Sequence, residues 1–187
     1  GAKVVSLQNG VDNVPQLRTR LAGRQVLAGM VAFNVVSMGE GRFHRATSGD
    51  IVLEQDAADT AGALNVPGLA VSASSDIEAV QWGKLLLNLN NAINALSNLP
   101  LRAELSQRAW RQLLAAQIAE ALRVTKAAGI RPVTSPLPAG LLPFVLRLPD
   151  APFRILAARM LKIDPEARSS MWEDLKLHRR TEIDHLQ

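Results

Sequence analysis

The hydrophobic pattern of the chain changes near residue 74, and this change restricts the fold more than any other feature of the sequence. Before that point, short runs rich in Val, Ile and Leu alternate with turn sequences such as Asn9-Gly10 and Ser48-Gly49-Asp50, which is typical of strands. After it, apolar residues recur every three or four positions, as in amphipathic helices. The pattern therefore predicts two domains, a β-rich one over residues 1–73 and an all-helical one over residues 74–187.

The β-rich part is predicted to contain five strands and two short helices. The strands are Val4–Leu7, Val26–Val36, Arg42–Thr47, Ile51–Glu54 and Leu69–Ser72, and the helices are Val11–Leu21 and Ala57–Leu64. Two of the connections between strands are short enough to be hairpins, so the sheet is expected to be partly antiparallel. One of them, Gly39-Glu40-Gly41, precedes a strand and has no glycine three residues later. It is therefore interpreted as a hairpin turn rather than as the phosphate loop of a dinucleotide-binding domain.

Two long helices are predicted after residue 74. The first begins at Ser75, which has the form of a capping box with Glu78, and runs to about Ser97. The second covers Ser106 to Ala128 and is ended by Gly129. Shorter helices follow a proline-rich connection, and Ser170 with Glu173 has the form of a second capping box.

Composition excludes several kinds of function. The formal net charge is +4, but Lys and Arg are spread among acidic residues, which favours a solvated mixed-charge surface over a nucleic-acid interface; a mild attraction for anionic substrates or cofactors is the alternative. The chain has no Cys, and its three His residues lack the spacing of metal ligands. No run of about 18 apolar residues and no signal peptide is found, so we expect a soluble cytoplasmic protein without a metal or a membrane partner.

Lys84 is the first candidate for chemistry. It lies in a strongly apolar stretch of the first long helix, and partial withdrawal of a lysine from water lowers its pKa toward values useful for proton transfer. The alternative is a lysine whose stem covers the core while its ammonium reaches water. On an ideal helix Asn88 and Asn91 lie about 40° and 20° from Lys84, whereas Asn94 lies about 80° away. One amine beside neutral amides suits a polar small molecule, and interhelical hydrogen bonding is the alternative for the asparagines.

Two further positions are candidates for binding. Ser170 begins a predicted helix, whose free amides together with the hydroxyl can hold a carboxylate, and Glu182 follows nearby. Asn9 lies directly after the first strand, and ligands of open α/β sheets bind at the carboxyl ends of strands. Simple structural roles as a helix cap, a surface acid and a turn are the alternatives for these three residues.

Together these segments resemble the ketopantoate reductase (2-dehydropantoate 2-reductase) family. The matching pieces, in chain order, are Val5-Ser6-Leu7-Gln8-Asn9-Gly10-Val11, Ile77-Glu78, Trp82-Gly83-Lys84-Leu85, Asn88, Asn94-Ala95-Leu96-Ser97, Ser169-Ser170-Met171, Asp174 and Arg180-Thr181-Glu182-Ile183-Asp184. No single piece is specific, but their order and spacing across the chain are.

The resemblance implies the fold and the activity. It implies an α+β, mostly helical chain, namely the C-terminal half of a Rossmann-like NADP-binding domain followed by a helical C-terminal domain like that of 6-phosphogluconate dehydrogenase. It further implies NADPH-dependent reduction of 2-dehydropantoate to pantoate, in pantothenate and coenzyme A biosynthesis, at a site between the two domains. Lys84 matches the catalytic lysine, the general acid that protonates the ketone oxygen. The implied substrate-binding residues are Asn88, Asn91, Asn94, Ser170 and Asn9, and the implied cofactor-binding residues are Asn9, Val35 and Glu182.

The chain departs from the family pattern in two ways. Eight residues after the lysine, where the family commonly has asparagine, stands Ala92; both Asn91, on the helix face, and Asn94, before Ala-Leu-Ser, are candidates to replace it. A full member would also have a half-domain with the glycine-rich phosphate loop before Gly1 and a last helix after Gln187. The 187-residue chain alone is therefore expected to bind NADPH poorly and to show little turnover, and micromolar affinity in isothermal titration would contradict this.

Other functions are compatible with the same residues. One is a reductase of this architecture that acts on a different 2-keto acid, and another is a non-enzymatic helical module used for dimerisation. A homodimer is compatible with the leucine-rich helices in either case. The preference for NADPH over NADH remains open, because the residues that read the ribose phosphate are not in the sequence.

Overall fold

The computed structural model describes residues 2–45, 47–158, 161 and 164–186. It divides into two units, Gly1–Leu85 and Leu86–Gln187. The elements in chain order are β1 (Lys3–Ser6), α1 (Asn13–Arg20), β2 (Gln25–Val31), β3 (Val35–Ser37), β4 (Phe43–Arg45), β5 (Ile51–Glu54), α2 (Ala58–Leu64), β6 (Val71–Ser74), α3 (Ile77–Asn88), α4 (Asn90–Ser97), α5 (Leu101–Ser106), α6 (Arg108–Ala127), α7 (Leu142–Arg147), α8 (Asp150–Leu156), α9 (Ser170–Lys176) and α10 (Ile183–Leu186).

A four-stranded mixed sheet with the order β1-β2-β5-β6 organises the first unit. Strand β1 pairs with β2 in parallel up to Ser6 opposite Ala28, β2 pairs with β5 antiparallel, and β5 pairs with β6 in parallel. Strands β3 and β4 form a separate hairpin. Its turn contains Gly39 and Gly41 at φ 80° and 73°, where a residue with a Cβ is strained. The predicted antiparallel component and hairpin turn are therefore confirmed.

Strand β2 is buried on both faces, which explains its continuous apolar sequence. Val26 and Ala28 belong to a cluster with Val14 of α1, whereas Leu27 packs with Leu53 in a cluster that also contains the alanines of the α2 region. Strand β2 is therefore held in place between these two clusters, and its last residue, Val31, contacts Lys84 at the candidate site.

The second unit is helical. The chain as a whole has the expected mixture of a small sheet and many helices, so the predicted fold class is confirmed. Its core is formed by buried residues of several helices, among them Leu86, Ile93, Leu114, Ile118 and Phe153. Within the described part of the chain, no helix is long and apolar enough to cross a membrane.

The helix starts and the first long helix differ from the predictions. The cap of α3 is Asp76, whose Oδ1 accepts a hydrogen bond from the amide of Ala79 at 3.0 Å, and not Ser75. The cap of α9 is Ser169, whose hydroxyl accepts from the amide of Trp172 at 3.2 Å, and not Ser170. The helix predicted to continue to Ser97 is interrupted at Leu89, among asparagines that disfavour helix interiors.

Arg111 does not lie on the solvated charged surface that the sequence predicts for the Lys and Arg residues. Its side chain is fully buried, and its guanidinium donates to the carbonyls of Leu105, Leu146 and Leu148 and to Asp150. The periodicity of α6 places residue 111 on the core side with Leu114, Ala115 and Ile118, and the guanidinium is accommodated there because carbonyls at the end of α7 surround it.

Candidate functional site

Lys84 lies on α3, and its side chain reaches the end of β2, a central strand of the first unit. Its ammonium donates a hydrogen bond to the backbone carbonyl of Val31, the last residue of β2, and the side chain is half-buried. Because β1 and β2 are parallel, the loop after β1, which carries Asn9, starts at the edge of the sheet where β2 ends. The structure thus places Lys84 and Asn9 at the carboxyl ends of two parallel strands, the usual ligand edge of α/β sheets.

The loop that carries Asn9 is tied to the following helix. The side-chain amide of Asn13, the first residue of α1, donates to the carbonyl of Asn9 at 2.6 Å. Gly10 follows at φ 86°, a conformation that glycine adopts without strain. The half-buried Asn9 is therefore presented by a turn with a defined backbone.

A second polar cluster joins α4, α5 and α9 in the second unit. The Oδ1 of Asn94 accepts from the amide of Ser169 at 2.8 Å, and the Ser169 hydroxyl donates to the carbonyl of Asn91 at 3.1 Å. The amide nitrogen of Asn94 donates to the carbonyl of Leu99 at 2.9 Å and to Glu104 Oε2 at 2.6 Å. The structure therefore brings Asn91 and Asn94 together with the residue that precedes Ser170.

This geometry distinguishes Asn91 from Asn94, the two candidates for the asparagine that the family commonly has eight residues after the lysine. Asn94 is fully buried, and both N–H groups of its amide are engaged, so contact with a substrate would require these bonds to break. Asn91 is half-buried, and its side chain makes no hydrogen bond within the described residues. A role for Asn94 in substrate binding would therefore require a rearrangement that a role for Asn91 would not, and both roles stay predictions.

The remaining candidate residues lie on separate elements. Asn88 is the half-buried last residue of α3, and Ser170 is the exposed first residue of α9. Val35 begins β3, and the exposed Glu182 immediately precedes α10. The functional roles of these residues stay predictions.

Sequence reasoning missed Glu104, which is fully buried beside the asparagines. Its Oε2 accepts from Asn94 and, at 3.3 Å, from the hydroxyl of Ser97. Its Oε1 and the Oδ1 of Asn90 are buried oxygens without a donor in the described structure. Burial raises the pKa of Glu104, and the amides of Asn94 and Asn90 and the hydroxyl of Ser97, which favour the charged carboxylate, oppose this only in part.

We expect Glu104→Gln to stabilise the protein at alkaline pH by roughly 1–3 kcal/mol, since glutamine keeps the shape, removes the charge and adds donors near Asn90. The pKa of Glu104 is higher in the folded than in the unfolded state. The protonated carboxyl therefore contributes its full stabilisation below about pH 4.5, and this stabilisation is lost as the pH rises and the carboxyl ionises. The free energy of unfolding from urea titrations at pH 5 and pH 8 measures this.

The matched variant is Glu104→Ala, which removes the acceptor of two hydrogen bonds and is expected to destabilise the protein at both pH values. A glutamine variant whose advantage did not grow between pH 5 and pH 8 would contradict the assignment of a raised pKa to Glu104.

No group of three or more His, Cys, Asp or Glu side chains within the described ranges is arranged to hold a metal ion.

Comparisons with known proteins match both parts of the chain. The family model for ketopantoate reductase PanE/ApbA matches residues 1–57, and the model for the C-terminal part of ketopantoate reductase PanE/ApbA matches residues 76–187. A curated relative, the 2-dehydropantoate 2-reductase of Halobacterium salinarum, is 25% identical over an alignment of 138 residues, and the match covers 70% of this chain and 46% of the relative.

Solved structures agree in fold. The PanE/ApbA family ketopantoate reductase of Ralstonia eutropha JMP134 is 29% identical with a TM-score of 0.77, covering 99% of this chain and 57% of that one. A D-mandelate dehydrogenase solved with NADH and anilino(oxo)acetate has a TM-score of 0.78 at 19% identity, covering 99% and 58%. The chain thus spans about half the length of these relatives.

Proposed function

Because the chain belongs to the ketopantoate reductase family, we propose that it takes part in the NADPH-dependent reduction of 2-dehydropantoate to pantoate. The observation that best supports this proposal is the Lys84 ammonium at the carboxyl end of β2, where a general acid can meet a ketone. In this proposal residues 1–73 form part of the NADP-binding Rossmann-like domain, and residues 74–187 form the substrate-binding domain.

The proposed chemistry is transfer of a hydride to the keto carbon and of a proton to the keto oxygen. A reduced nicotinamide, when bound, supplies the hydride. The Lys84 Nζ donates the proton to the oxygen, which becomes the hydroxyl of the product, and the neutral amine then takes up a proton from water. The hydrogen bond from the Lys84 ammonium to the Val31 carbonyl supports this role, because it fixes the position of the ammonium.

The other candidate residues would bind the substrate. We propose that the amides of Asn88 and Asn91 bind the polar groups of the substrate and that the exposed Ser170 hydroxyl binds its carboxylate end. Neutral amides and hydroxyls suit this task because they fix orientation without adding charge.

The residues present fit only one end of the cofactor. Asn9 at the strand edge suits the polar nicotinamide end, and we propose Val35 and Glu182 as further contacts on the cofactor side. The sequence contains no G-x-G-x-x-G loop for the pyrophosphate.

Steady-state reduction of a panel of 2-keto acids, with NADPH or NADH and the protein as its gene encodes it, tests the proposal. We expect 2-dehydropantoate with NADPH to give the highest kcat/KM, at least about 100-fold above 2-keto acids that lack the hydroxyl, because a site built to bind a hydroxyl rejects analogues without it. Preference for an aromatic 2-keto acid would instead indicate a related reductase, and no reduction of any of them would indicate a non-enzymatic role.

A further inference from the structure

Strand β2 extends beyond its parallel neighbour and leaves backbone acceptors at that side. Pairing between β1 and β2 ends at Ser6 and Ala28, whereas β2 continues to Val31. Carbonyls two residues apart in a strand point to the same side. The carbonyls of Gly29 and Val31 therefore point to the same side of β2, and both accept hydrogen bonds from side chains of α3.

The two donors are one turn apart on α3. Gln81 Nε2 donates to the carbonyl of Gly29 at 3.2 Å, and the Lys84 ammonium donates to the carbonyl of Val31. Residues three apart lie on the same face of a helix. Helix α3 is therefore attached to β2 at two points, and one of these is the proposed proton donor.

The acceptor at Gly29 is held firmly by its surroundings. A Cβ added at Gly29 would lie 2.7 Å from Leu7 Cδ2, 2.8 Å from Leu53 Cδ2 and 3.3 Å from the Ser6 carbonyl oxygen. Packing is closed around this backbone, and β2 is buried on both faces. The Gly29 carbonyl is therefore a fixed point to which Gln81 attaches the helix.

We infer that Gln81 is a positioning residue for Lys84, an inference that rests on the proposed role of Lys84 as proton donor. A lysine ammonium is carried by four flexible methylene groups, so its position depends on where the helix backbone starts that stem. Gln81 fixes the helix one turn before Lys84, and the Val31 carbonyl directs the ammonium itself. Loss of the Gln81 hydrogen bond leaves the amine present but less accurately placed, and small misplacements of a reacting group are costly to the rate.

Gln81→Met tests this role, because methionine keeps the length and the helix propensity but has no donor. We expect kcat to fall about fivefold to tenfold, as for a reacting group that is held less precisely, whereas the KM of the keto acid and the Kd of the cofactor change less than twofold. Gln112→Met, at an exposed position of α6, is the matched control and should leave kcat unchanged. Gln81→Glu, which has the same shape but no N–H donor at neutral pH, should lower kcat at least as much as Gln81→Met.

A double-mutant cycle separates positioning from general support of the fold. In a Lys84→Ala background, Gln81→Met should have no further effect on kcat, because Gln81 acts through the missing amine. Losses that multiply in the double variant, or a kcat of both Gln81 variants within twofold of the wild type, would overturn the inference. If Lys84→Ala leaves kcat unchanged, the proposed function is wrong. If Lys84→Ala lowers kcat but the Gln81 variants leave it unchanged, only the inference about Gln81 is wrong.

Discussion

Lys84→Ala is expected to lower kcat for 2-keto acid reduction by about 10²- to 10⁴-fold, the usual contribution of a positioned general acid. The keto oxygen of the substrate gains negative charge during the reduction. Without the Lys84 ammonium, only water or neutral amides can protonate or stabilise this oxygen. The Lys84 side chain is half-buried and its partner Val31 ends a strand, so water can hydrate the released carbonyl and the fold should persist.

The measurement is steady-state kinetics on the protein as its gene encodes it, with thermal unfolding to verify folding. Lys84→Arg is the informative second variant, since arginine keeps a positive charge but does not release its proton, and it too should be strongly impaired. Lys126→Ala, in the exposed last turn of α6, is the matched control and should have wild-type activity. Activity of Lys84→Ala within tenfold of the wild type would exclude the lysine as the general acid.

Local patterns were sufficient to predict most elements of the fold. Strand β5 and helix α2 lie where the alternation of apolar and turn residues predicts them, because neighbours in sequence determine such patterns. The helix caps were predicted one residue away from their true positions. Ser74, Ser75 and Asp76 all have side chains able to cap, and only the folded backbone selects Asp76.

The candidate site was less accessible to sequence reasoning. Lys84 was identified as a candidate, but its partner Val31 is 53 residues away in sequence, and no local pattern connects them. Gln81 could have been found, since it lies one turn before Lys84 on the same helix face. Glu104 gave no such indication, because a glutamate in a short helix is usually exposed.

The asparagines show how a helical-wheel argument fails when a helix is interrupted. Counting angles from Lys84 to Asn94 assumes one continuous helix, but α3 ends at Asn88 and α4 begins at Asn90. The assumption hid the partnership of Asn94 with Glu104, which depends on how α4 packs against α5. Packing between helices, and not spacing along one of them, decides which amides remain available for a ligand.

Arg111→Met is expected to lower the free energy of unfolding by about 3–5 kcal/mol, because three buried carbonyls lose a charged donor and each unsatisfied buried acceptor costs about 1–3 kcal/mol. The Arg111 guanidinium is fully buried, stacks 4.1 Å from the ring centre of Phe153, and donates to three carbonyls from the end of α5 and around the end of α7. Methionine fills much of the volume but leaves these carbonyls, of residues 105, 146 and 148, without donors.

The carbonyls should account for more of this loss than the ion pair. The hydrogen bond from Arg111 lowers the pKa of Asp150. The ion pair therefore stabilises the protein at pH values above the ordinary pKa of aspartate, and this stabilisation is lost as the pH falls and Asp150 becomes protonated. The Asp150 side chain is 52% exposed, however, and water screens such a pair strongly. Most of the destabilisation of Arg111→Met should therefore persist at acidic pH, where Asp150 is protonated.

Urea unfolding followed by circular dichroism measures the loss, with Arg108→Met as the matched control. Arg108 lies one turn before Arg111 on α6 and donates to the Arg147 carbonyl from an exposed position, so its replacement should cost less than about 1 kcal/mol. Arg111→Lys should also be destabilised, because a single ammonium cannot reproduce a planar group that donates in several directions. An Arg111→Met protein within 1 kcal/mol of the control would mean that water replaces the guanidinium at these carbonyls, and that the helices of the second unit do not depend on it.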